Sequence, residues 1–445
     1  MVVLMKILQV ILALSLLVVV HEFGHYIWAR IFKIKVEKFY LFFDPFFSLF
    51  KYKPKNSDTE FGIGWIPFGG YCKIAGMIDE SMDKEQLAKP AEPWEFRSKP
   101  AWQRIFVMAG GVLNNFILAI LIYWGVLYVW GEQYIKNQDV DTGVYVSELG
   151  KEIGFRNGDR IISFNGGEPI ERFEDVVITL IRTQATYATV LRGEDTVTVE
   201  IDPSYIPTIL SSLKSGRLFE YGIPFTIAEV PQDSPNAASG LMKGDRIVAI
   251  NNSGSGMLME VMESLQSFKN DSVVATVARG NELLYVPLSV DSLGRIGVIV
   301  NNNVSDFYKT TRSNYSFFGA LPAGIERAVV TVKNYWQELK LIFTPKTEAY
   351  KSVGSFIAIG KIFPDTWNWK IFWSITAFLS IMLAVLNLLP IPALDGGHIL
   401  FTLYELITGR KPSERVLEIA QIVGMVILFG IMILAFGNDI AGLFK

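Results

Sequence analysis

The amino-acid sequence predicts a polytopic α-helical membrane protein with four transmembrane helices, a membrane-associated β-hairpin and two α+β domains outside the cytoplasm. Half of the 445 residues are apolar, and the mean hydropathy of +0.31 is high for a soluble protein. Four apolar runs are long enough to cross a bilayer. One twelve-residue pattern occurs twice between the second and third runs, which indicates a duplicated domain.

We expect the four transmembrane helices within residues 1–30, 105–130, 371–395 and 416–438. About 20 mostly apolar residues are needed to cross the hydrocarbon core, and each segment contains a run of this kind. The first segment is similar to a signal peptide in composition, with Lys6 before an apolar stretch. No small-residue cleavage site follows it, so we predict an uncleaved helix.

Positively charged residues predict the orientation of these helices. Residues 31–104 contain twelve Lys and Arg residues, and the short segment 396–415 contains three more. Because Lys and Arg concentrate in cytoplasmic loops, both segments are predicted to be cytoplasmic, and residues 131–370 to lie outside. The net charge of −3 gives no indication of a nucleic-acid partner.

The first apolar run ends in His21-Glu22-Phe23-Gly24-His25, which has the form H-E-x-x-H. On a helix, residues four apart lie on the same face, so both imidazoles can bind one metal ion. Glu22 is then placed to take a proton from a water molecule beside the metal. Two structural histidines at a helix end are the alternative. The chain has three histidines in all, and two of them beside a carboxylate at membrane depth would be costly without a function.

A third metal ligand is expected in residues 387–398, whose sequence is NLLPIPALDGGH. Asp395 ends an uncharged apolar run, and the two prolines before it can break the helix and turn its carboxylate inward. A zinc site would then have three protein ligands and an open position for water. His398 is a competing third ligand, and a simple helix-stop signal is the alternative for the whole stretch.

The predicted cytoplasmic segment 31–104 contains a Gly- and aromatic-rich stretch with short strand-like alternation. We predict a β-hairpin at about 61–77 that turns at residues 67–70 and dips into the membrane beside the metal. A surface hairpin that packs on its own loop is the alternative. Glycines allow another backbone to approach closely. The residues of the hairpin predicted to contact a substrate are therefore Gly62, Gly64, Gly69 and Gly70.

An internal repeat lies in the predicted outer region. Residues 154–165 match residues 240–251, with Gly, Asp and Asn at corresponding positions. A period this long, with strand and turn signals around it, predicts two copies of one small domain at 138–205 and 221–302. Residues 311–365 follow as a helical segment with interspersed charges. We expect this segment to lie at the outer membrane–water interface, or alternatively to pack against the two domains.

Three motifs together resemble the site-2 protease family of intramembrane zinc metalloproteases. They are HEFGH in the first predicted helix, AGGVLNNF at 109–116 and NLLPIPALDGG near the C-terminus. Gly111 stands where the family usually has proline, a departure that is not expected to alter the chemistry. The repeat has the form G-L-x-x-G-D-x-I-x-x-I-N and resembles PDZ domains. A tandem pair narrows the resemblance to the bacterial regulator-of-sigma-E-protease type.

This resemblance implies a Zn²⁺-dependent endopeptidase of the bacterial inner membrane, with both PDZ-like domains in the periplasm. Zinc would be held by His21, His25 and Asp395, with Glu22 as general base. The implied substrates are single-span membrane proteins that have already been cut on the outer side, such as anti-sigma factors or remnant signal peptides. Cleavage within the lipid bilayer would serve regulated intramembrane proteolysis.

Two asparagines are further candidates for the site. Asn387 is expected to grip the substrate backbone near the scissile carbonyl, and Asn115 is a weaker candidate for the same role. A hydrogen bond between membrane helices is the alternative for each of them.

Two other functions fit parts of the sequence. A catalytically inactive membrane scaffold would act through its PDZ-like pair, but the intact Glu22 argues against it. A metal-ion transporter could use the same ligands, but transporters are built from repeated spans with polar residues in several helices. In this sequence the polar residues converge on one site.

Overall fold

The structure is a computed structural model that describes residues 1–77, 90–213, 216–254 and 256–442. The chain divides into two units. The first unit contains Met1–Gly131, Asn314–Lys340 and the chain from Lys351 onwards, and the second contains Glu132–Ser313 and Leu341–Tyr350. The apolar helices therefore belong to the first unit, and the duplicated pattern belongs to the second.

Long helices occur in the first unit, whereas most strands occur in the second. The α-helices of the described residues are α1 (Val2–Ile31), α2 (Ala101–Trp130), α3 (Glu148–Ile153), α4 (Val176–Arg182), α5 (Ile206–Ser212), α6 (Leu258–Gln266), α7 (Phe317–Ile342), α8 (Phe356–Ile362), α9 (Trp369–Leu388), α10 (Asp395–Thr408) and α11 (Glu414–Ala441). The β-strands are β1 (Val36–Phe43), β2 (Phe50–Tyr52), β3 (Glu60–Ile63), β4 (Ile66–Ile74), β5 (Glu132–Ile135), β6 (Val144–Val146), β7 (Arg160–Phe164), β8 (Tyr187–Arg192), β9 (Asp195–Glu200), β10 (Phe219–Tyr221), β11 (Phe225–Glu229), β12 (Arg246–Ile250), β13 (Ser272–Arg279), β14 (Glu282–Ser289), β15 (Ile299–Val300) and β16 (Thr310–Ser313).

Four of the described helices are long and apolar enough to cross a membrane, namely α1, α2, α9 and α11. They overlap the four segments predicted from the sequence. The third segment was predicted to reach residue 395, but α9 ends at Leu388. Pro390 and Pro392 have no N–H with which to continue the helix, so the chain forms a loop before α10 begins at Asp395.

The segment between α1 and α2 forms a four-stranded sheet instead of the predicted hairpin. Its strand order is β2-β3-β1-β4, so β1 lies between β3 and β4. β1 is parallel to β3 and antiparallel to β4. The predicted pairing within 61–77 was therefore wrong, and the turn between the two strands lies at residues 64–65 rather than 67–70.

The physical reason is that β1 was not recognised as a strand. Its sequence VEKFYLFF lacks the strict alternation of a half-buried strand, and four of its last five residues are aromatic. β1 nevertheless pairs with residues more than 20 positions away in β3 and β4. As a result β3 has a strand on each side, whereas β4 has an open edge among the described residues.

The second unit contains two separate hydrophobic cores. The three-stranded sheet β7-β8-β9 and the pair β6-β10 surround the first core, and the five-stranded sheet β14-β13-β12-β11-β15 carries the second. β10 follows the predicted first domain at 138–205, yet it supplies Phe219 to the first core. The first core therefore includes chain beyond the predicted end of the first domain at residue 205. β5 pairs with β16 and joins the two ends of the unit.

α7 contacts α2 at Gly324, on a face that also carries buried small residues. Ala320 and Ala328 are buried, and Gly324 lies against the backbone of Trp124. Small residues at this spacing let two membrane helices approach closely. Exposed apolar side chains, among them Leu321 and Ile325, lie on other faces of the helix. Residues 314–340 accordingly belong to the unit that contains the membrane helices.

Candidate active site

α1 brings His21 and His25 to one buried face. Their exposed fractions are 7% and 6%, and they belong to the row of buried residues that runs along α1. The two Nε2 atoms are 3.2 Å apart. This separation is what the spacing of H-E-x-x-H predicts for two imidazoles that face one ligand position.

Asp395, the first residue of α10, meets the two imidazoles after the proline loop. Its Oδ2 atom lies 3.2 Å from Nε2 of His21 and 3.4 Å from Nε2 of His25. The ligand atoms of the three residues lie within 4.8 Å of one another. Among the described residues, these three form the cluster with the donor types and spacing of a metal site.

The polar atoms of this cluster fit a zinc ion. Asp395 Oδ2 is buried and makes no hydrogen bond of acceptable geometry, although both imidazoles are close to it. His25 Nδ1 donates to the carbonyl of Val107 at 2.9 Å, which leaves the Nε2 lone pair of His25 free. Two imidazoles and one carboxylate are ligands that zinc takes in catalytic sites. An unsatisfied buried oxygen and a free nitrogen lone pair thus point to the same place.

A cavity of about 700 Å³ opens beside the cluster. Glu22 lines it and is partly buried, one position along α1 from His21. Residues 69–74 of β4 form another part of the lining. The backbone N–H of Cys72 in β4 donates toward the Glu22 carboxylate. The open edge of β4 therefore faces the candidate general base.

The four glycines predicted to contact a substrate separate into two pairs. Gly69 and Gly70 line the cavity, whereas Gly62 and Gly64 do not. A Cβ at Gly62 would collide with the ring of Tyr40 on the neighbouring strand, and one at Gly64 would collide with the backbone at the end of β1. The second pair is therefore positioned for packing within the sheet.

The remaining predicted residues lie near the cluster. Asn387, in the last turn of α9, places its Nδ2 atom 3.3 Å from Nε2 of His21. Asn115 in α2 is fully buried against the other side of the same ring, with its Nδ2 atom 3.4 Å from Nδ1. His398 lines the cavity but is not among the converging ligand atoms.

Gly111 is a contact of the site that the sequence did not reveal. A Cβ at this position would lie 2.5 Å from Nε2 of His25 and 2.7 Å from Cε1 of His21. α2 comes this close because Gly24 and Gly110 meet backbone to backbone. The paired glycines of AGGVLNNF were the available signal, but their meaning depends on which helix they face.

The family of the protein is decided by a match over nearly its whole length. The model of peptidase family M50 matches residues 9–431. The chain belongs to peptidase family M50. A relative from Xylella fastidiosa, named as a candidate zinc metalloprotease, is 30% identical over 97% of this chain and 98% of its own. The regulator of sigma E protease of Haemophilus influenzae is 27% identical over 96% of this chain and 97% of its own.

One solved structure also matches part of this M50 peptidase. A PDZ domain of an SdrC-like protein from Listeria monocytogenes is 25% identical, and the match covers 20% of this chain and 93% of that chain. Its TM-score is 0.16.

This M50 peptidase is a zinc metalloprotease of the site-2 protease family and a hydrolase that acts on peptide bonds. With four helices of membrane-spanning length among its described residues, it is an integral membrane protein. The family, the enzyme class and the Zn²⁺ cofactor predicted from the sequence are thereby confirmed.

Proposed function

We propose that this M50 peptidase cuts the transmembrane segments of single-span membrane proteins within the bilayer, with zinc held by His21, His25 and Asp395 and with Glu22 as general base. The observation that carries the proposal is the convergence of the Asp395 carboxylate on two imidazoles that lie on an apolar helix of membrane-spanning length. α1 has 30 residues and is thus about 45 Å long, and the ligands lie about two thirds of the way along it.

The chemistry follows from the residues that line the cavity. Bound zinc supplies Lewis acidity, which polarises a carbonyl and acidifies water. Glu22 accepts a proton from the attacking water and returns it to the amine nitrogen as the peptide C–N bond breaks. Asn387 lies beside His21 and can donate from its amide to the substrate carbonyl. One peptide bond and one water molecule thus become a carboxyl and an amine.

A substrate helix must unwind before its peptide bonds can react, because each backbone group is hydrogen-bonded within the helix. An open strand edge offers replacement partners. Of the strands in the sheet, β4 has this edge beside the cavity, and it contains Gly69 and Gly70. β3 has β1 and β2 on its two sides, so both of its edges are already paired.

We infer that the duplicated domains act as a size filter for substrates. They lie between α2 and α7 in the chain and carry the PDZ-like repeat. A folded pair of domains outside the membrane would obstruct a substrate with a bulky outer domain and admit one with a short tail. We therefore infer that substrates are first trimmed on the outer side, as in regulated intramembrane proteolysis. The corresponding location is the bacterial inner membrane, with the two domains in the periplasm.

Replacement of one carboxylate tests the proposal. Glu22→Gln should retain zinc and lose cleavage by at least about 100-fold, because it removes the proton acceptor and leaves the ligands intact. Single-span proteins that lack their outer domains should then accumulate in membranes that contain the variant. Glu92→Gln, at an exposed carboxylate, is the matched control. Normal turnover of such remnants by Glu22→Gln membranes would contradict the assignment of the general base.

A further inference from the structure

The two candidate imidazole ligands have different partners at their second nitrogen. His25 Nδ1 faces the backbone carbonyl of Val107 at 2.9 Å. A carbonyl can only accept a hydrogen bond, so the proton of neutral His25 is on Nδ1 and the Nε2 lone pair is free. His21 Nδ1 instead faces the side-chain amide of Asn115, which can either donate or accept.

The Asn115 amide influences which nitrogen of His21 carries the proton, together with the Asn387 amide, whose Nδ2 atom lies 3.3 Å from Nε2 of His21. In the structure Nδ2 of Asn115 lies 3.4 Å from Nδ1 of His21. An N–H directed at Nδ1 leaves the proton of His21 on Nε2, the atom that lies 3.2 Å from Asp395 Oδ2. In that tautomer Nε2 has no lone pair for a metal. A half-turn of the amide would present Oδ1 to Nδ1 and reverse the tautomer.

No hydrogen bond holds the amide in its present orientation from the other side. Asn115 is fully buried, and its Oδ1 atom has no hydrogen-bond partner. The position of the residue itself is fixed, since its backbone carbonyl accepts a hydrogen bond from Ser380 Oγ at 2.8 Å. The amide oxygen and nitrogen have nearly the same size, so the half-turn requires no rearrangement of neighbouring atoms.

We propose that Asn115 is a positioning residue whose side-chain oxygen accepts the Nδ1–H of His21 and so keeps the Nε2 lone pair of His21 free for the metal. The inference rests on the proposed function, because it concerns the same three ligands. It gives Asn115 a role distinct from contact with the substrate. Partners of this kind beside metal-binding histidines are worth about 10- to 100-fold in metal affinity.

The neighbouring residue provides a matched control. Asn114 is also an α2 asparagine with a bond to α1, but its Nδ2 atom donates to the backbone carbonyl of Val20 at 3.3 Å and not to an imidazole. Loss of Asn114 thus removes a helix–helix hydrogen bond without changing the tautomer of His21. Loss of Asn115 removes a contact between the two helices and also the side chain that faces Nδ1 of His21.

The test is the zinc affinity of the purified full-length protein, measured by competition with a chelator. Asn115→Leu should weaken zinc binding about 10- to 100-fold. Asn115→Asp keeps an acceptor oxygen and should bind zinc at least as tightly as the parent protein. Asn114→Leu should have the parent affinity. If Asn115→Leu fails to fold, the comparison of Asn115→Ala with Asn115→Asp answers the same question.

Three results would overturn the inference. They are an unchanged affinity in Asn115→Leu, an equal loss in Asn114→Leu, or a loss in Asn115→Asp as large as in Asn115→Leu. The first excludes any role toward the metal, the second indicates helix packing, and the third excludes the acceptor oxygen. A parent protein that binds no zinc would instead refute the proposed function, so the two failures are distinguishable.

Discussion

Two aspartates, one in each unit, have opposite hydrogen-bonding environments. In the second unit, Asp245 accepts two hydrogen bonds from Arg279, at 2.7 Å each, and one from the backbone N–H of Met242 at 2.8 Å. In the first unit, Asp395 has one buried oxygen with no hydrogen bond, beside two imidazoles. A carboxylate that accepts hydrogen bonds at both oxygens stabilises a fold, whereas one with an oxygen that accepts none is available to a ligand.

The contrast is strengthened because an aspartate that accepts two hydrogen bonds from an arginine occurs in both domains of the second unit. Asp159 of the first domain accepts two hydrogen bonds from Arg192, at 2.7 and 2.8 Å. Each arginine also donates to the carbonyl of the glycine that begins the repeat, Gly154 in one domain and Gly240 in the other. The duplicated signature is therefore tied to a strand some 33 residues later. The aspartate of the repeat links its turn to that strand by hydrogen bonds.

The largest effect is expected when Asp395, the carboxylate with an oxygen that accepts no hydrogen bond, is replaced. Asp395→Ala should abolish zinc binding and proteolysis, because a catalytic zinc site needs three protein ligands. Zinc per purified molecule is the measurement. Asp439→Ala is the matched control in the same unit, since Asp439 is buried but accepts hydrogen bonds from Ser355 and Ala358. Full zinc content in Asp395→Ala, with His398→Ala free of metal, would show that His398 is the third ligand.

A smaller effect, on the stability of the second domain, is expected when Asp245 is replaced. Asp245→Ala leaves Arg279 and the Met242 N–H without their acceptor and should destabilise the second domain by about 1–3 kcal/mol. Zinc content should stay normal. Hydrogen exchange of β13 in the full-length protein reports this stability, with the exposed Asp233→Ala as control. Parent-like protection of β13 would mean that the ion pair contributes nothing to the domain.

The smallest effect is a dependence of that stability on pH. The hydrogen bonds from Arg279 lower the pKa of Asp245 in the folded domain. The unfolded chain has the ordinary value of about 3.9, so the stabilisation is fully present above that pH and is lost as the pH falls through the lower folded pKa. Protection of β13 should therefore decline below about pH 4 in the parent protein. Asp245→Asn should show a flatter profile, and an identical decline would contradict the linkage.

The sequence predicted features that depend on local spacing and missed those that depend on distant pairing. The positions of His21 and His25 follow from helix geometry alone, and two prolines were enough to indicate that Asp395 leaves the helix axis. The place of β1 in the sheet depends on contacts with strands on either side. The pattern of apolar and polar residues within β1 does not predict these contacts. The four apolar helices were predictable because the bilayer imposes their length and composition.

The sequence also did not predict which side chains would contact each other across different elements. Arg192 and Arg279 look like ordinary strand-end charges until the fold brings them to the repeat's aspartates. Gly111 differs from the usual residue of its family, yet its importance is visible only where α2 contacts the imidazoles. In both cases the residue type was readable, but its partner lies on another element.

The open edge of β4 has a consequence for where a substrate is cut. Backbone N–H and C=O groups along one side of a strand recur every second residue, about 7 Å apart. A segment paired with this edge can shift along it only in steps of two residues, since a single step would turn its side chains to the other face. The edge of β4 would then restrict the register of the bound segment to steps of two residues. Secondary cleavage points would fall at even offsets from the main one.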